Sequence, residues 1–216
     1  MKEDASKPSD ADRVRDMYDA TAESYAEMMD SEIDLPMYGD ILGRLQIRIT
    51  DLPGGLVDTS CGSGHMLARY RERYERDRSL VGIDLSPRMV AIANERLGPA
   101  AEVMVGDMRD LSAVASGVAA AVLSFFAVHH LDRGGLAVAL AEWRRVLRPG
   151  GQLLLAAWEG AGAVDYGDSA DIVALRYGAD ELSSAVRTAG FIVDRCVVEP
   201  VEGFPMDAVY LDATVS

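Results

Sequence analysis

The chain has 216 residues, 49% of them hydrophobic, and its 35 acidic and 21 basic side chains give a formal net charge of −14. This composition excludes a disordered chain, and the length is enough to bury a core without disulfides or a metal. The charge argues against a protein that binds nucleic acid or an anionic membrane, because both require Lys and Arg. We therefore expect one structural domain that binds neither nucleic acid nor a membrane.

The N-terminus is polar and acidic, and no run of about 18 apolar residues predicts a membrane span. The two cysteines, Cys61 and Cys196, lie in a predicted Gly-rich turn and a predicted strand. We interpret them as free thiols of a cytoplasmic protein, and no ligands cluster near them to predict a metal site.

The first fifty residues are predicted to form a short tail followed by a helical segment. Residues 1–9 are expected to be a disordered tail, and apolar residues at helical spacing predict a helix over 10–30. Pro36 suits the first turn of a second helix that ends near Ile49. A turn at 51–55 separates this segment, 10–50, from the rest of the chain, 51–216.

After the turn, short apolar runs alternate with amphipathic stretches. The runs predict strands at 56–57, 80–83, 102–105, 119–123 and 152–158, and the stretches predict helices near 64–76, 87–97, 108–116 and 134–147. Such alternation indicates a doubly wound, Rossmann-like α/β sheet. A helix at 180–189, closed by Gly190, precedes two strands at 191–198 and 207–215 with no helix between them. We therefore predict seven strands, mostly parallel, with an antiparallel edge strand.

Glycines and carboxylates follow the first two strands, where ligands of such sheets bind. Gly62 and Gly64 allow a backbone to approach a ligand closely, and Asp84 lies 22 residues beyond Gly62, where an acid can accept from both hydroxyls of a ribose. Asp58 enters the turn and would repel a pyrophosphate, with a capping residue as the less favoured alternative. The third glycine of dinucleotide sites is replaced by Leu67. A nucleoside with an ammonium group and no phosphate, S-adenosylmethionine, suits this pattern.

Six motifs in order resemble class I S-adenosylmethionine-dependent methyltransferases of the small-molecule and ubiquinone/menaquinone-biosynthesis type. They lie at 18–25, 57–64, 82–87, 106–108, 123–131 and 145–151, within a resemblance that covers about residues 15–198. The resemblance implies a helical lid at 10–50 over a cofactor-binding domain at 51–216, with S-adenosylhomocysteine as the product. Ser60 stands where the family more often has Gly, and it can add a hydrogen bond.

By match to the family, Asp84 would hold the ribose, Asp107 would accept from the adenine amino group, and Asp58 would lie near the methionine moiety. The full set of expected cofactor contacts is Tyr18, Tyr25, Asp58, Ser60, Gly62, Gly64, Asp84, Leu85, Met89, Asp107, Met108, Ser124 and Phe125. Within it, Ser124 and Phe125 would lie beneath the sulfonium. The two tyrosines would close over the cofactor from the lid.

A base assists methyl transfer when the acceptor is a hydroxyl or an ammonium. His129 and His130 follow the fourth strand and are catalytic or architectural, whereas His65 is interpreted as structural. Tyr166 and Tyr177 could line an acceptor pocket, and Tyr177 could equally fill the core.

We expect a small-molecule acceptor, by analogy one of specialised metabolism, and a monomer or homodimer. The row of acids in the lid (Asp16, Asp19, Glu23, Glu27, Asp30, Glu32 and Asp34) could favour a cationic acceptor, but a solvated helix face is preferred, as it is for the Arg-rich run at 69–78. The alternatives are a non-methylating protein of the same fold and an NAD-dependent oxidoreductase, which Asp58 and the missing glycine disfavour.

Overall fold

The computed structural model describes residue 8 and residues 10–164, 172–201 and 205–216. Tyr166 and all of the expected tail except Pro8 lie outside these residues. None of the described helices is long and apolar enough to cross a membrane.

Two helices precede the sheet, as the sequence predicts. Helix α1 (Ala11–Glu32) begins at Asp10, whose side chain accepts a hydrogen bond from the backbone N–H of Arg13 at 3.0 Å. Such a side-chain cap satisfies a backbone donor that the helix itself leaves unpaired. Helix α2 (Pro36–Ile49) begins with a proline and buries one apolar face, formed by Tyr38, Ile41, Leu42, Leu45 and Ile49.

The remaining chain forms a seven-stranded sheet with helices between the strands. The elements in chain order are β1 (Gly55–Asp58), α3 (His65–Arg73), β2 (Leu80–Asp84), α4 (Pro87–Leu97), β3 (Glu102–Val105), β4 (Ala119–Phe125), α5 (Arg133–Val146), β5 (Leu147–Trp158), α6 (Ala179–Thr188), β6 (Phe191–Pro200) and β7 (Asp207–Val215). Short 3₁₀ turns occupy Gly98–Ala100 and Val128–His130.

The strand order is β3-β2-β1-β4-β5-β7-β6, which confirms the predicted Rossmann-like fold. Strands β1 to β5 are parallel, and β7 runs antiparallel to both β5 and β6. The reversed strand is thus the inner member of the pair at the sheet edge. The order reverses between β1 and β4, and this places a crevice at the carboxyl ends of these strands.

The sheet is buried on both faces, which explains why its strands lack strict alternation. On one face, Trp143 of α5 is fully buried with Leu140 and Val146. On the other face, Leu42 and Leu45 of α2 pack in a second cluster with residues of α3, including Leu67 and Tyr70.

The predicted helix at 108–116 is wrong, because this segment consists of turns. The carboxylates of Asp107 and Asp110 accept hydrogen bonds from the backbone N–H groups of Arg109 (2.8 Å) and Ser112 (3.1 Å). Side-chain acceptors of this kind compete with helical backbone bonds. The N–H of Leu111 is likewise used by Glu142 of α5.

The solvated interpretation of the Arg-rich run fits the exposed Arg73 and Arg76 but is wrong for Arg71 and Arg78. The Arg78 side chain is only 7% exposed and donates to the carbonyl oxygens of Ile49, Leu52 and Gly54 at 2.7 to 3.1 Å. It therefore joins the end of α2 to the start of β1. Arg71 donates to the carbonyl of Ala100, so it too holds separate segments together.

Candidate active site

Two cavities lie between the N-terminal helices and the carboxyl ends of the strands. The first, which we call the switch-point cavity, has a volume of about 440 Å³ and follows β1, β2, β3 and β4. Most of the predicted cofactor contacts line it, namely Tyr18, Tyr25, Ser60, Gly62, Asp84, Leu85, Met89, Asp107, Met108 and Phe125. Residues that the sequence analysis did not single out also line it, including Asp10, Val14, Thr59, Arg109, Leu131 and Asp132.

Asp84 connects the ends of β1 and β2 at this cavity. Its carboxylate accepts hydrogen bonds from the backbone N–H of Gly62 at 2.8 Å and of Ser86 at 2.9 Å. Gly62 has a φ of +51°, and a Cβ atom there would lie 3.3 Å from the ring of Tyr25. Glycine is therefore required at position 62 for two reasons: the backbone is left-handed there, and the Tyr25 ring of the lid leaves little room for a side chain. Burial raises the pKa of Asp84, although these N–H groups oppose the shift.

Three predicted contacts lie outside the set of described residues that line the switch-point cavity. The Asp58 carboxylate is buried and accepts a hydrogen bond from the backbone N–H of Ser60 at 3.2 Å, so it supports the glycine turn. Burial raises the pKa of Asp58 to about 7. Gly64 (φ +81°) instead allows α3 to approach α4, since a Cβ atom there would lie 3.1 Å from Ala93. Ser124 is fully buried within the sheet.

Asp107 is held in an ion pair with Arg109. The Nε atom of Arg109 lies 3.0 and 3.1 Å from the two carboxylate oxygens. Burial raises the pKa of Asp107, but the hydrogen bonds from Arg109 outweigh it and the pKa falls below its usual value. The adjacent carbonyl of Met108 accepts from the indole N–H of Trp143 at 3.2 Å, which anchors this loop to the core.

The two consecutive histidines face different cavities. His130 lines the switch-point cavity, and its Nε2 atom lies 2.9 Å from the hydroxyl of Tyr18 on α1. His129 lines the second cavity, and the two imidazole centroids are 4.1 Å apart. Burial lowers the pKa of His130 to about 4 and lowers that of His129 as well. Both rings are therefore neutral at neutral pH, because burial disfavours the imidazolium form.

The second cavity, which we call the lid cavity, has a volume of about 510 Å³. Its lining includes Tyr38 of α2, Trp158 at the end of β5 and Tyr210 of β7. Tyr18, Tyr25 and Phe126 line both cavities and so mark their junction.

Phe126 has an unusual backbone at this junction. Its φ of +48° is left-handed, and it alone among the described non-glycine residues has a positive φ. The ring lies 4.7 Å from Trp158 and edge-on to Tyr210 at 6.2 Å, and its N–H donates to Ala156 at 2.9 Å. Backbone strain of this kind concentrates at functional sites.

The acidic row of the lid is not simply a solvated face. The Oδ1 atom of Asp30 lies 2.7 Å from Nε2 of His65 and 2.9 Å from the guanidinium of Arg96. The Nδ1 atom of His65 lies 2.8 Å from the hydroxyl of Ser63, so this histidine has the structural role expected of it. These contacts tie the end of α1 to α3 and α4.

A second group of acids forms further contacts between the helical lid and the rest of the chain. Asp19 accepts from the hydroxyl of Ser86 and from the backbone N–H of Arg88, and Glu23 pairs with the Arg88 side chain. Asp34, just after α1, pairs with Arg69 of α3. We call the contacts of Asp19, Glu23, Asp30 and Asp34 the lid latch.

The assignment of Tyr177 to an acceptor pocket is wrong. This side chain is fully buried, its hydroxyl donates to the carbonyl of Leu131 at 2.9 Å, and the guanidinium of Arg133 lies 4.2 Å from its ring centre. It belongs to the core between α5 and α6, as the alternative interpretation held.

A family of methyltransferase domains matches residues 56–151, which run from β1 into β5. An O-methyltransferase of Penicillium expansum is 29% identical over 218 residues, covering 88% of this chain and 75% of that protein. The chain carries a methyltransferase domain and is an S-adenosylmethionine-dependent methyltransferase. This assignment excludes the NAD-dependent oxidoreductase.

Solved structures show the same fold. The 1,6-didemethyltoxoflavin-N1-methyltransferase of Burkholderia thailandensis, bound to S-adenosylhomocysteine, has a TM-score of 0.65 at 18% identity, covering 94% of this methyltransferase and 90% of that chain. A [4+2]-cyclase has a TM-score of 0.75 at 16% identity, with 97% and 98% covered. This methyltransferase spans 21% to 65% of the length of seven further curated relatives.

The charges of the switch-point cavity fit the cofactor. Asp10, Asp84, Asp107 and Asp132 line it, and the one guanidinium among its described residues, Arg109, is already paired with Asp107. A cavity with this excess of carboxylates favours a cationic sulfonium ligand over a pyrophosphate.

Proposed function

We propose that this enzyme methylates a small molecule of specialised metabolism that binds in the lid cavity beside S-adenosylmethionine in the switch-point cavity. The observation that carries the proposal is the shared wall of the two cavities, formed by Tyr18, Tyr25 and Phe126. Methyl transfer requires an acceptor close to the methyl donor, and two adjoining cavities provide that proximity. The acidic net charge also favours a small molecule over a nucleic acid.

In this proposal, Asp84 holds the ribose hydroxyls, and Leu85 and Met89 contact the adenine. Asp58 acts indirectly by holding the glycine turn through Ser60. Bound cofactor supplies an electrophilic methyl group. Tyr18 and Tyr25 cover the junction from the lid and keep water away from it.

His129 is the proposed base, because it lines the lid cavity in which the acceptor would bind. His129 would take the proton that the acceptor releases when its lone pair receives the methyl group that the bound cofactor would supply. His130, hydrogen-bonded to Tyr18, is a positioning residue.

The test is a calorimetric titration with S-adenosylmethionine, followed by incubation with a metabolite extract and trideuteromethyl-labelled cofactor. We expect micromolar binding and a small-molecule product that carries the label. Cofactor binding without any labelled product would instead favour the non-methylating alternative, and no cofactor binding would refute the site.

The labelled product then allows a test of the base. His129→Ala should reduce turnover by about a hundredfold or more while cofactor affinity stays within about threefold of wild type. The control is Glu27→Gln, an exposed substitution on the lid helix, which should leave both values unchanged. Full turnover by His129→Ala would contradict the role.

A further inference from the structure

The walls of the lid cavity combine aromatic rings with carboxylates. Tyr25 and Tyr38 line it from the helical lid, and Phe126, Trp158 and Tyr210 line it from the sheet. Sulfur and aliphatic groups complete its surface, namely Met28, Met29, Met37, Leu35, Pro36, Pro200 and Val201. Apart from His129 and the tyrosines, the titratable residues of the described lining are two acids, Glu32 and Glu199.

Glu32, the last residue of α1, carries the uncompensated charge of this cavity. Among the described residues no cation forms an ion pair with it, whereas Glu199 is paired with Arg195 at 2.9 Å. Burial raises the pKa of Tyr38 to about 12, and the negative charge of Glu32 adds to the shift. Burial also raises the pKa of Tyr25, and Glu32 makes a smaller contribution in the same direction. Glu32, Tyr25 and Tyr38 all line the lid cavity.

A further feature of the lid cavity is the absence of lysine and arginine from its described lining. An acceptor with a carboxylate or phosphate would therefore enter this cavity without a counter-ion, which is unfavourable in an apolar site.

Aromatic faces beside a carboxylate attract a cation. The ring quadrupoles and the charge of Glu32 act together, and both interactions strengthen as the site loses water. We propose that the acceptor is a largely apolar molecule bearing a cationic amine, which Glu32 and the surrounding aromatic rings recognise. This inference rests on the proposed function, because it names the class of molecule that the lid cavity takes.

The experiment uses three probes that differ in one group: 1-naphthylmethylamine, 1-naphthalenemethanol and 1-naphthoate. Each is titrated at pH 7.5 into the full-length enzyme saturated with S-adenosylhomocysteine. We expect the amine to bind about tenfold more tightly than the alcohol, and the naphthoate to bind more weakly than either. Equal or tighter binding of the alcohol or the naphthoate would overturn the proposal.

Two variants locate the recognition. Glu32→Gln should bring the affinity for the amine to within about threefold of that for the alcohol. Glu27→Gln removes the same charge from the exposed side of the same helix and should leave the preference intact. An equal effect of the two variants would refute Glu32 as the recognition group.

The saturation step separates this inference from the proposed function. Failure of S-adenosylhomocysteine to bind would refute the cofactor site. Normal binding of S-adenosylhomocysteine without binding of the amine would refute only the cationic acceptor.

Discussion

The hydroxyl oxygen of Tyr18 lies 2.9 Å from Nε2 of His130, and this contact joins the lid helix to the loop after β4. Tyr18 lines both cavities, whereas His130 lines only the switch-point cavity. The position of the lid and the position of the histidine pair are therefore coupled. Through Tyr18, α1 contributes to the wall that the two cavities share.

Asp84 should contribute strongly to cofactor affinity. We expect Asp84→Asn to weaken binding of S-adenosylmethionine by on the order of 2 kcal/mol, because the amide loses charge and one acceptor. Calorimetry measures this effect, and thermal unfolding reports any loss of the turn that Asp84 holds through Gly62. Asp110→Asn, which alters a similar exposed turn, is the control. Equal affinities of the two variants would contradict the assignment.

Asp58 should make stability depend on pH. Its pKa is raised from 3.8 to about 7 by burial, so between these values the native state holds more protons than the unfolded state. The free energy of unfolding therefore increases as the pH falls through 7, and above pH 7 the buried charge is destabilising.

Removing that charge should reverse the effect. We expect Asp58→Asn to increase the free energy of unfolding by about 1–4 kcal/mol at pH 8 and by much less at pH 5. Urea denaturation at both pH values measures the difference, with the exposed Asp40→Asn as the control. A gain that is equal at both pH values would show that burial of the charge is not its cause.

The lid latch should make cofactor binding sensitive to salt. The double variant Asp19→Asn with Asp30→Asn loses contacts from α1 to α3 and α4, and we expect its affinity for S-adenosylmethionine to fall about three- to tenfold. The decrease in affinity between 50 and 500 mM salt should also be smaller than in wild type.

The control for this experiment changes the net charge equally on exposed positions of the same helix. Asp16→Asn with Glu27→Gln should keep the affinity and the salt dependence of the wild type. If both double variants behave alike, the effect comes from overall charge and the latch has no role.

The positions of the strands along the chain and most of the residues that line the switch-point cavity could be predicted from the sequence alone. Each strand is a short apolar run, and residues that follow parallel strands meet at one edge of the sheet, so Gly62 and Asp84 could be paired from their spacing. The helix predicted at 108–116 failed because its two aspartates bond to nearby backbone N–H groups, which an apolar periodicity does not register.

Only the tertiary structure decided how the site is divided. Tyr38, Trp158 and Tyr210 are far apart in the chain, and the lid cavity exists because α2, β5 and β7 pack together. The directions of side chains also could not be predicted from the sequence. The Asp58 carboxylate accepts from the N–H of Ser60, and the adjacent His129 and His130 face different cavities. Such outcomes depend on long-range packing, whereas strands and glycine turns depend on neighbouring residues.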